Sequence, residues 1–246
     1  GADAIVLDVK TGSGAFMKTK NDAEILAQSL VKTAQAMGKK ASALITNMES
    51  PLGKKIGNFL EIEETIECLQ GKGPEDVMEL TYALGAQMLQ QGEKVLGKNI
   101  SKDEALAKCK EAISSGKALQ LFLQNVNEQG GNSEQLIAEL GKRRSPFKKD
   151  LVAKEDGYIS IDAFKIGLAG VYLGVGRNKT EDQVCPDAGF ILHKTQGQRV
   201  KKGELIMEIF GKDKECLIPA EKLSIQSLTY TQEEPKKEAL IYKEIN

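Results

Sequence analysis

Gly1-Ala-Asp-Ala-Ile-Val-Leu-Asp-Val-Lys-Thr-Gly-Ser-Gly-Ala-Phe-Met-Lys-Thr19 is the stretch on which the reading of this chain turns. Ala4 to Val9 is a short, nearly unbroken apolar run rich in β-branched residues, the pattern of a buried strand. Gly12, Ser13 and Gly14 break it, and helical spacing follows. Ligands of α/β proteins gather just beyond the carboxyl end of a strand. Backbone N–H groups of a glycine-rich turn there can face an anion or the polar edge of a ligand. An isolated G-x-G serves equally well to make a tight turn, so by itself it marks an α/β protein with a candidate site.

Outward from that turn, Asn21-Asp-Ala-Glu24 has the form of an N-cap with a capping acid three residues on. Leu26, Leu30, Ala34 and Met37 then recur at helical spacing, with Ala23, Ala27 and Val31 alongside, up to Gly38 as a C-cap. Ala41 to Thr46 returns to strand character, completing a βαβ unit of a parallel sheet. A loop from Asn47 to Gly57 is punctuated by Pro51, Gly53 and Gly57. Helices follow, with Ile62, Ile66 and Leu69 on one face, then Leu80, Leu84 and Met88, then a capping box at Ser101-Lys-Asp-Glu104. Two more are expected, one carrying Leu119, Leu123 and Val126 and a short one from Ser133 to Leu140.

The composition shifts at Lys142-Arg-Arg-Ser-Pro-Phe-Lys-Lys-Asp150, a basic run with a proline, which predicts a solvated linker. Beyond it the pattern is mainly β: a strand pair turning at Asp156-Gly157, a helix from Ile161 to Leu173, and strands at 190–193, 204–210 and 240–242. The expected fold is α/β, with a mixed, largely parallel sheet covered by helices and a small α+β C-terminal subdomain. The expected divisions are 1–141, a linker 142–150, and 151–246.

A net charge of −1 gives no electrostatic reason to expect a nucleic acid or an anionic membrane as partner, and no aromatic interleaving accompanies the one basic run. No apolar run approaches the roughly 20 residues that span a bilayer. Cys68, Cys109, Cys185 and Cys216 form no C-x-x-C pair, which argues against a metal cluster or a disulfide framework and fits a reducing cytoplasm. His193, the one histidine, is expected to be structural. A chain that opens one residue before what reads as a central strand is expected to be part of a longer one.

Three constellations are candidates for chemistry. Lys10, Ser13 and Phe16 surround the opening turn; Phe16 either walls a pocket for a flat polar ligand or packs beneath the following helix. Leu52, Lys55 and Glu64 combine loop carbonyls with a carboxylate, a donor set suited to a hard, weakly held cation, although Glu64 fits a surface helix position as well. Asp3 and Asp8 flank the first strand and are expected to cap it or to pair with Lys10.

The opening segment closely resembles that of the thymidine and pyrimidine-nucleoside phosphorylases. So, in order, do Ile45-Thr-Asn-Met-Glu-Ser-Pro-Leu-Gly53, Ile56-Gly-Asn58, Glu61-Ile-Glu-Glu64, Lys154-Glu-Asp-Gly-Tyr158, Leu173-Gly-Val-Gly-Arg177 and Val200-Lys-Lys-Gly-Glu204. The resemblance implies the C-terminal two-thirds or so of that family's chain. The implied reaction is reversible phosphorolysis of a pyrimidine nucleoside, with phosphate as co-substrate, in a cytoplasmic homodimer. It implies that Phe16 lies beside the pyrimidine pocket, and that Leu52 and Lys55, through main-chain oxygens, and Glu64 contribute to a potassium site. Lys55 departs from the small residue often found there, which a carbonyl ligand tolerates, and Lys55→Ala is expected to change the response to potassium far less than Glu64→Gln. The family's phosphate-binding loop and its pyrimidine-gripping arginine, serine and lysine have no counterpart in this sequence, so no catalytic residue is assigned and this stretch alone is expected to be inactive. Gln196 to Glu204 resembles the turn of lipoyl or biotinyl carrier domains without their displayed lysine. The alternative is a non-catalytic scaffold or binding module of the same fold.

Overall fold

Strand β1 (Ala4–Thr11) and strand β2 (Lys40–Asn47) run parallel in continuous register from Ala4–Lys40 to Thr11–Asn47, joined by helix α1 (Lys20–Ala36). The computed structural model describes residues 1–246. Helix α1 starts from Thr19, whose hydroxyl accepts the Asp22 N–H, two residues earlier than the Asn21 cap the sequence suggests. The stripe it buries is Ala23, Ala27 and Val31, while Leu30 and Met37 face solvent. Small side chains let the helix lie close to the sheet, and Val9, Ala41, Ala43 and Ile45 complete that core.

The third strand of this sheet is β10 (Ile241–Ile245), which runs antiparallel to β2 and carries a bulge between Ile241 and Lys243. Parallel pairing between strands is thus limited to β1 and β2, and the sheet is less parallel than expected. Between β2 and the second half lie β3 (Lys55–Ile56), α2 (Asn58–Leu69), α3 (Glu75–Val95), α4 (Lys102–Ser114), α5 (Lys117–Glu128) and α6 (Ser133–Glu139). The Ser101–Glu104 capping box forms at the start of α4 as its spacing predicts. The buried faces again differ from the apolar stripes. Helix α2 buries Phe59, Leu60, Glu63, Glu64, Ile66 and Cys68, and α3 buries Leu80, Ala86, Gln87 and Gln91 while Met88 is exposed.

The second half holds two antiparallel sheets and two helices. Strands β4 (Phe147–Val152), β6 (Gly189–Leu192) and β8 (Leu205–Gly211) form one sheet with β3 at its edge; β5 (Gly157–Ile161), β7 (Arg199–Val200) and β9 (Leu228–Thr231) form the other. The strand pair expected around Asp156-Gly157 does not exist, because β4 pairs with β8 and β5 with β7 and β9. Helices α7 (Ala163–Leu173) and α8 (Lys214–Ser227) pack on each other beside a core of 17 residues that includes Ile159, Leu173, Phe190 and Ile209.

The basic run is not a solvated linker. Arg143 pairs with Glu139 and Asp187, Arg144 with buried Glu63, Lys148 with Asp150 and Glu208, Lys149 with Glu221, and β4 has already begun at Phe147. His193 sits on the sheet surface with Nε2 2.9 Å from Glu208. The four cysteines are free, and no helix is long and apolar enough to cross a membrane.

Candidate functional site

The glycine-rich turn sits where the carboxyl ends of β1 and β2 come together. Gly14 N–H donates to the Met48 carbonyl and Met48 N–H to the Thr11 carbonyl, so the two strand-end loops are stitched to each other. The approach is close enough to require glycine. A Cβ on Gly12 would lie 2.9 Å from Glu49, and one on Gly14 2.7 Å from the Ala163 Cβ at the start of α7.

Within this turn the backbone donor is already occupied. Ser13 N–H donates to Glu49 Oε2 at 3.0 Å, and the Ser13 hydroxyl to the Glu49 carbonyl at 3.0 Å. Glu49, which the sequence reading passed over, is therefore the anion that the turn holds. The one signal for it is the Asn47-Met-Glu49 spacing, which lets the Asn47 side chain accept the Glu49 N–H in an Asx turn. Lys10 turns back along the strand to Asp8, 2.7 Å away, and Asp8 also accepts from Thr46, while Asp3 pairs with Lys39.

Phe16 behaves differently from its neighbours. Its ring is 93% exposed, so it does not pack beneath α1, and it stands bare at the rim of the turn. Lys18 lies behind it, donating to the Ser13 and Ala15 carbonyls and approaching the Phe164 ring to 5.2 Å.

In the second constellation Lys55 and Glu64 meet, through the Lys55 N–H. Glu64 is buried on α2 and turned to the loop, where Oε1 accepts the N–H groups of Lys54 at 2.8 Å and Lys55 at 3.2 Å. Burial pushes its pKa up, with Asp76 adding to the effect and the two N–H bonds and Lys55 opposing it. Gly53 adopts a φ of +74°, donates to Asp76 at 3.0 Å, and has no room for a Cβ against Glu64 Oε2. Lys54 accepts from Leu192 across the β3–β6 ladder, so by the alternation of antiparallel bonding the Lys55 N–H and carbonyl both point away from β6, toward the Glu64 side. The Leu52 carbonyl accepts no backbone hydrogen bond. Two main-chain oxygens and a carboxylate make a hard-oxygen set that fits a monovalent cation in type, but even four oxygens fall short of the roughly six that such ions gather.

The Lys55 side chain is anchored elsewhere. Its ammonium lies 2.6 Å from both Glu63 and Glu67. Glu63 also accepts two bonds from Arg144 and one from the Gly141 N–H at 2.7 Å. Burial opposes the Glu63 charge, yet the Arg144, Lys55 and Gly141 bonds outweigh it and hold the pKa at about 2. This buried charge network ties the loop to α2 and to the segment leading into β4, and it gives the Lys55 side chain a structural role.

A parallel-strand pair with a glycine-rich turn at its strand ends is followed by a β-rich half, and each part matches a known sequence family. Residues 1–119 match the sequence model of the glycosyl transferase family a/b domain, and residues 158–230 match the pyrimidine nucleoside phosphorylase C-terminal domain. The pyrimidine-nucleoside phosphorylase of Staphylococcus epidermidis is 44% identical over 216 residues, covering 87% of this chain and 49% of the relative. That of Bacillus subtilis is 43% identical over 213 residues (86% and 48%), and that of Geobacillus stearothermophilus 42% over 212 (86% and 48%). The chain belongs to the thymidine and pyrimidine-nucleoside phosphorylase family. It spans about half the length of the curated relatives it matches, less than the two-thirds its motifs imply.

Proposed function

We propose that this chain is part of a pyrimidine-nucleoside phosphorylase, which converts a pyrimidine ribo- or deoxyribonucleoside and phosphate reversibly into free base and pentose 1-phosphate. The observation that carries the reading is the bare Phe16 ring at the strand-end turn, inside a segment that matches the family in sequence. In this reading Phe16 offers its face to the flat pyrimidine, while Lys10 and Ser13 shape the wall from behind through Asp8 and Glu49. Residues 1–141 belong to the catalytic α/β domain, whose sheet β10 rejoins, the rest of 151–246 forms the C-terminal subdomain, and 142–150 leads into it through the first part of β4.

Phosphorolysis requires phosphate to be held against the anomeric carbon while charge on the departing base is stabilised. The groups for both lie in the half of the relatives that this chain does not span, so the chain alone is inactive. The working enzyme is a cytoplasmic homodimer. The Leu52 and Lys55 carbonyls and Glu64 would hold potassium, which would supply a positive charge beside the loop.

The test is a phosphorolysis assay with uridine and thymidine. The 246-residue chain should give no turnover, and the same chain joined to the N-terminal half of the Staphylococcus epidermidis relative should turn over. Turnover by the chain alone overturns the division of labour, and a folded but inactive joined chain favours the non-catalytic scaffold. For the cation, the joined protein should melt higher in potassium than in tetramethylammonium at equal ionic strength, and Glu64→Gln should shrink that difference.

A further inference from the structure

No backbone hydrogen bond fixes the peptide unit between Ala15 and Phe16. The Phe16 N–H donates to no backbone carbonyl, and the Ala15 carbonyl accepts no backbone N–H. The rest of the turn is held differently. Gly12 N–H donates to the Met17 carbonyl, Ala15 N–H to Gly12, Gly14 N–H to Met48, and Ser13 N–H to the Glu49 carboxylate. Packing does not fix the Phe16 ring either, since it is almost wholly exposed.

What reaches the Ala15 carbonyl is the Lys18 ammonium, at 2.8 Å, and the same nitrogen donates to the Ser13 carbonyl at 2.8 Å. Behind it stands the Phe164 ring on the first turn of α7, with its centroid 5.2 Å away. Two carbonyl oxygens and a ring face are all electron-rich, so an ammonium suits the space among them. A charged donor also makes the stronger kind of hydrogen bond. Drawn to one point, the two carbonyls fix the planes of their peptide units, and the second of those units carries Phe16.

We propose that Lys18 is a positioning residue for the nucleoside, acting through Phe16. The inference rests on the reading of Phe16 as a wall of the pyrimidine pocket. With the tether in place the ring is ordered before the base arrives, so binding need not order it. Without the tether the unit between Ala15 and Phe16 turns more freely, and part of the binding free energy goes into ordering it. The loss falls on binding and not on the chemical step, so KM rises while kcat stays. Through Phe164, helix α7 of the second half thereby braces the turn of the first.

The test has two parts. Phe16→Trp gives the 246-residue chain a single tryptophan, since the sequence has none, and its residual fluorescence anisotropy reads the freedom of the ring. Adding Lys18→Met should lower that anisotropy, and Lys18→Arg should preserve it, because a guanidinium can donate to both carbonyls and stack on Phe164. The second part is phosphorolysis by the chain joined to the N-terminal half of the Staphylococcus epidermidis relative. Phe16→Ala should raise KM by up to about tenfold, the range of one aromatic contact. Lys18→Met should raise it by less, with kcat within about twofold of wild type, and should add nothing in the Phe16→Ala background. Anisotropy unchanged by Lys18→Met, Lys18→Arg as damaging as Lys18→Met, or a Lys18→Met effect that persists without the Phe16 ring would overturn the proposal. If Phe16→Ala raises KM and Lys18→Met does not, the role of Lys18 alone is refuted. If Phe16→Ala itself leaves KM unchanged, the pocket reading fails, and the role of Lys18 in binding fails with it.

Discussion

Replacing Glu63 with glutamine should destabilise the chain strongly at neutral pH and much less in acid. The Glu63 carboxyl has a pKa of about 2 in the folded chain against an ordinary value of 4.5. That depression is worth about 3 kcal/mol of folding stability, at about 1.4 kcal/mol per unit. Because the folded value lies below the unfolded one, the contribution is complete above about pH 4.5 and disappears as pH falls toward 2. Glutamine removes the charge but leaves Lys55 and Arg144 buried beside it, so at pH 7 the variant should lose about 3–5 kcal/mol, as when a buried ion pair loses one partner. The assay is urea unfolding of wild type and Glu63→Gln from pH 7 down to pH 3, read as the difference between the two proteins so that other carboxylates cancel. The gap should narrow steadily below pH 4.5. A gap that stays constant over that range, or one below 1 kcal/mol at pH 7 (on the scale of about 0–1 kcal/mol for surface pairs), would refute the reasoning.

Phe16→Ala should leave unfolding within about 0.5 kcal/mol of wild type, because its ring is almost wholly exposed, while raising KM for nucleoside in the joined, active protein; a large fall in melting temperature would contradict it. Gly53→Ala should cost more than about 1 kcal/mol in chemical denaturation, since the left-handed backbone and the Glu64 oxygen both exclude a Cβ. Lys55→Ala should destabilise by about 1.5–3 kcal/mol in urea unfolding through lost charge-assisted bonds to Glu63 and Glu67, and an unfolding midpoint equal to wild type would contradict it. Glu49→Gln should loosen the turn, read as faster amide exchange at Ser13, by weakening the bond to its N–H.

What could be read from the residues was mostly local. The β1–α1–β2 unit and the α4 capping box follow from patterns within about 40 residues, and both formed. Pairing choices between distant strands were not legible. Nothing near Asp156-Gly157 says that β4 will take β8 as its neighbour, and nothing in Leu240-Ile-Tyr242 says that it will join the first sheet. Helix faces misled where small or polar residues took the core positions, as Ala23 and Ala27 did in α1 and Gln87 and Gln91 in α3. Pro219 obscured α8, which extends through it from Lys214 to Ser227. For the candidate site, Glu64 meets its loop through the Lys54 and Lys55 N–H groups, which the donor set of carbonyl oxygens did not foresee. Glu49 and the Glu63–Arg144 contact escaped notice because their partners lie 36 and 81 residues away in sequence.

The pairing of β10 with β2 also sets an order of events during folding. Ile241 must find Thr46 across nearly two hundred intervening residues, roughly the costliest kind of contact for a folding chain to close. The 17-residue core draws on 151–228 and needs no residue of β10. In a refolding chain, therefore, the second half can consolidate while the first sheet still has an unpaired edge at β2. That edge is an open template for other strands until Ile241–Ile245 occupies it.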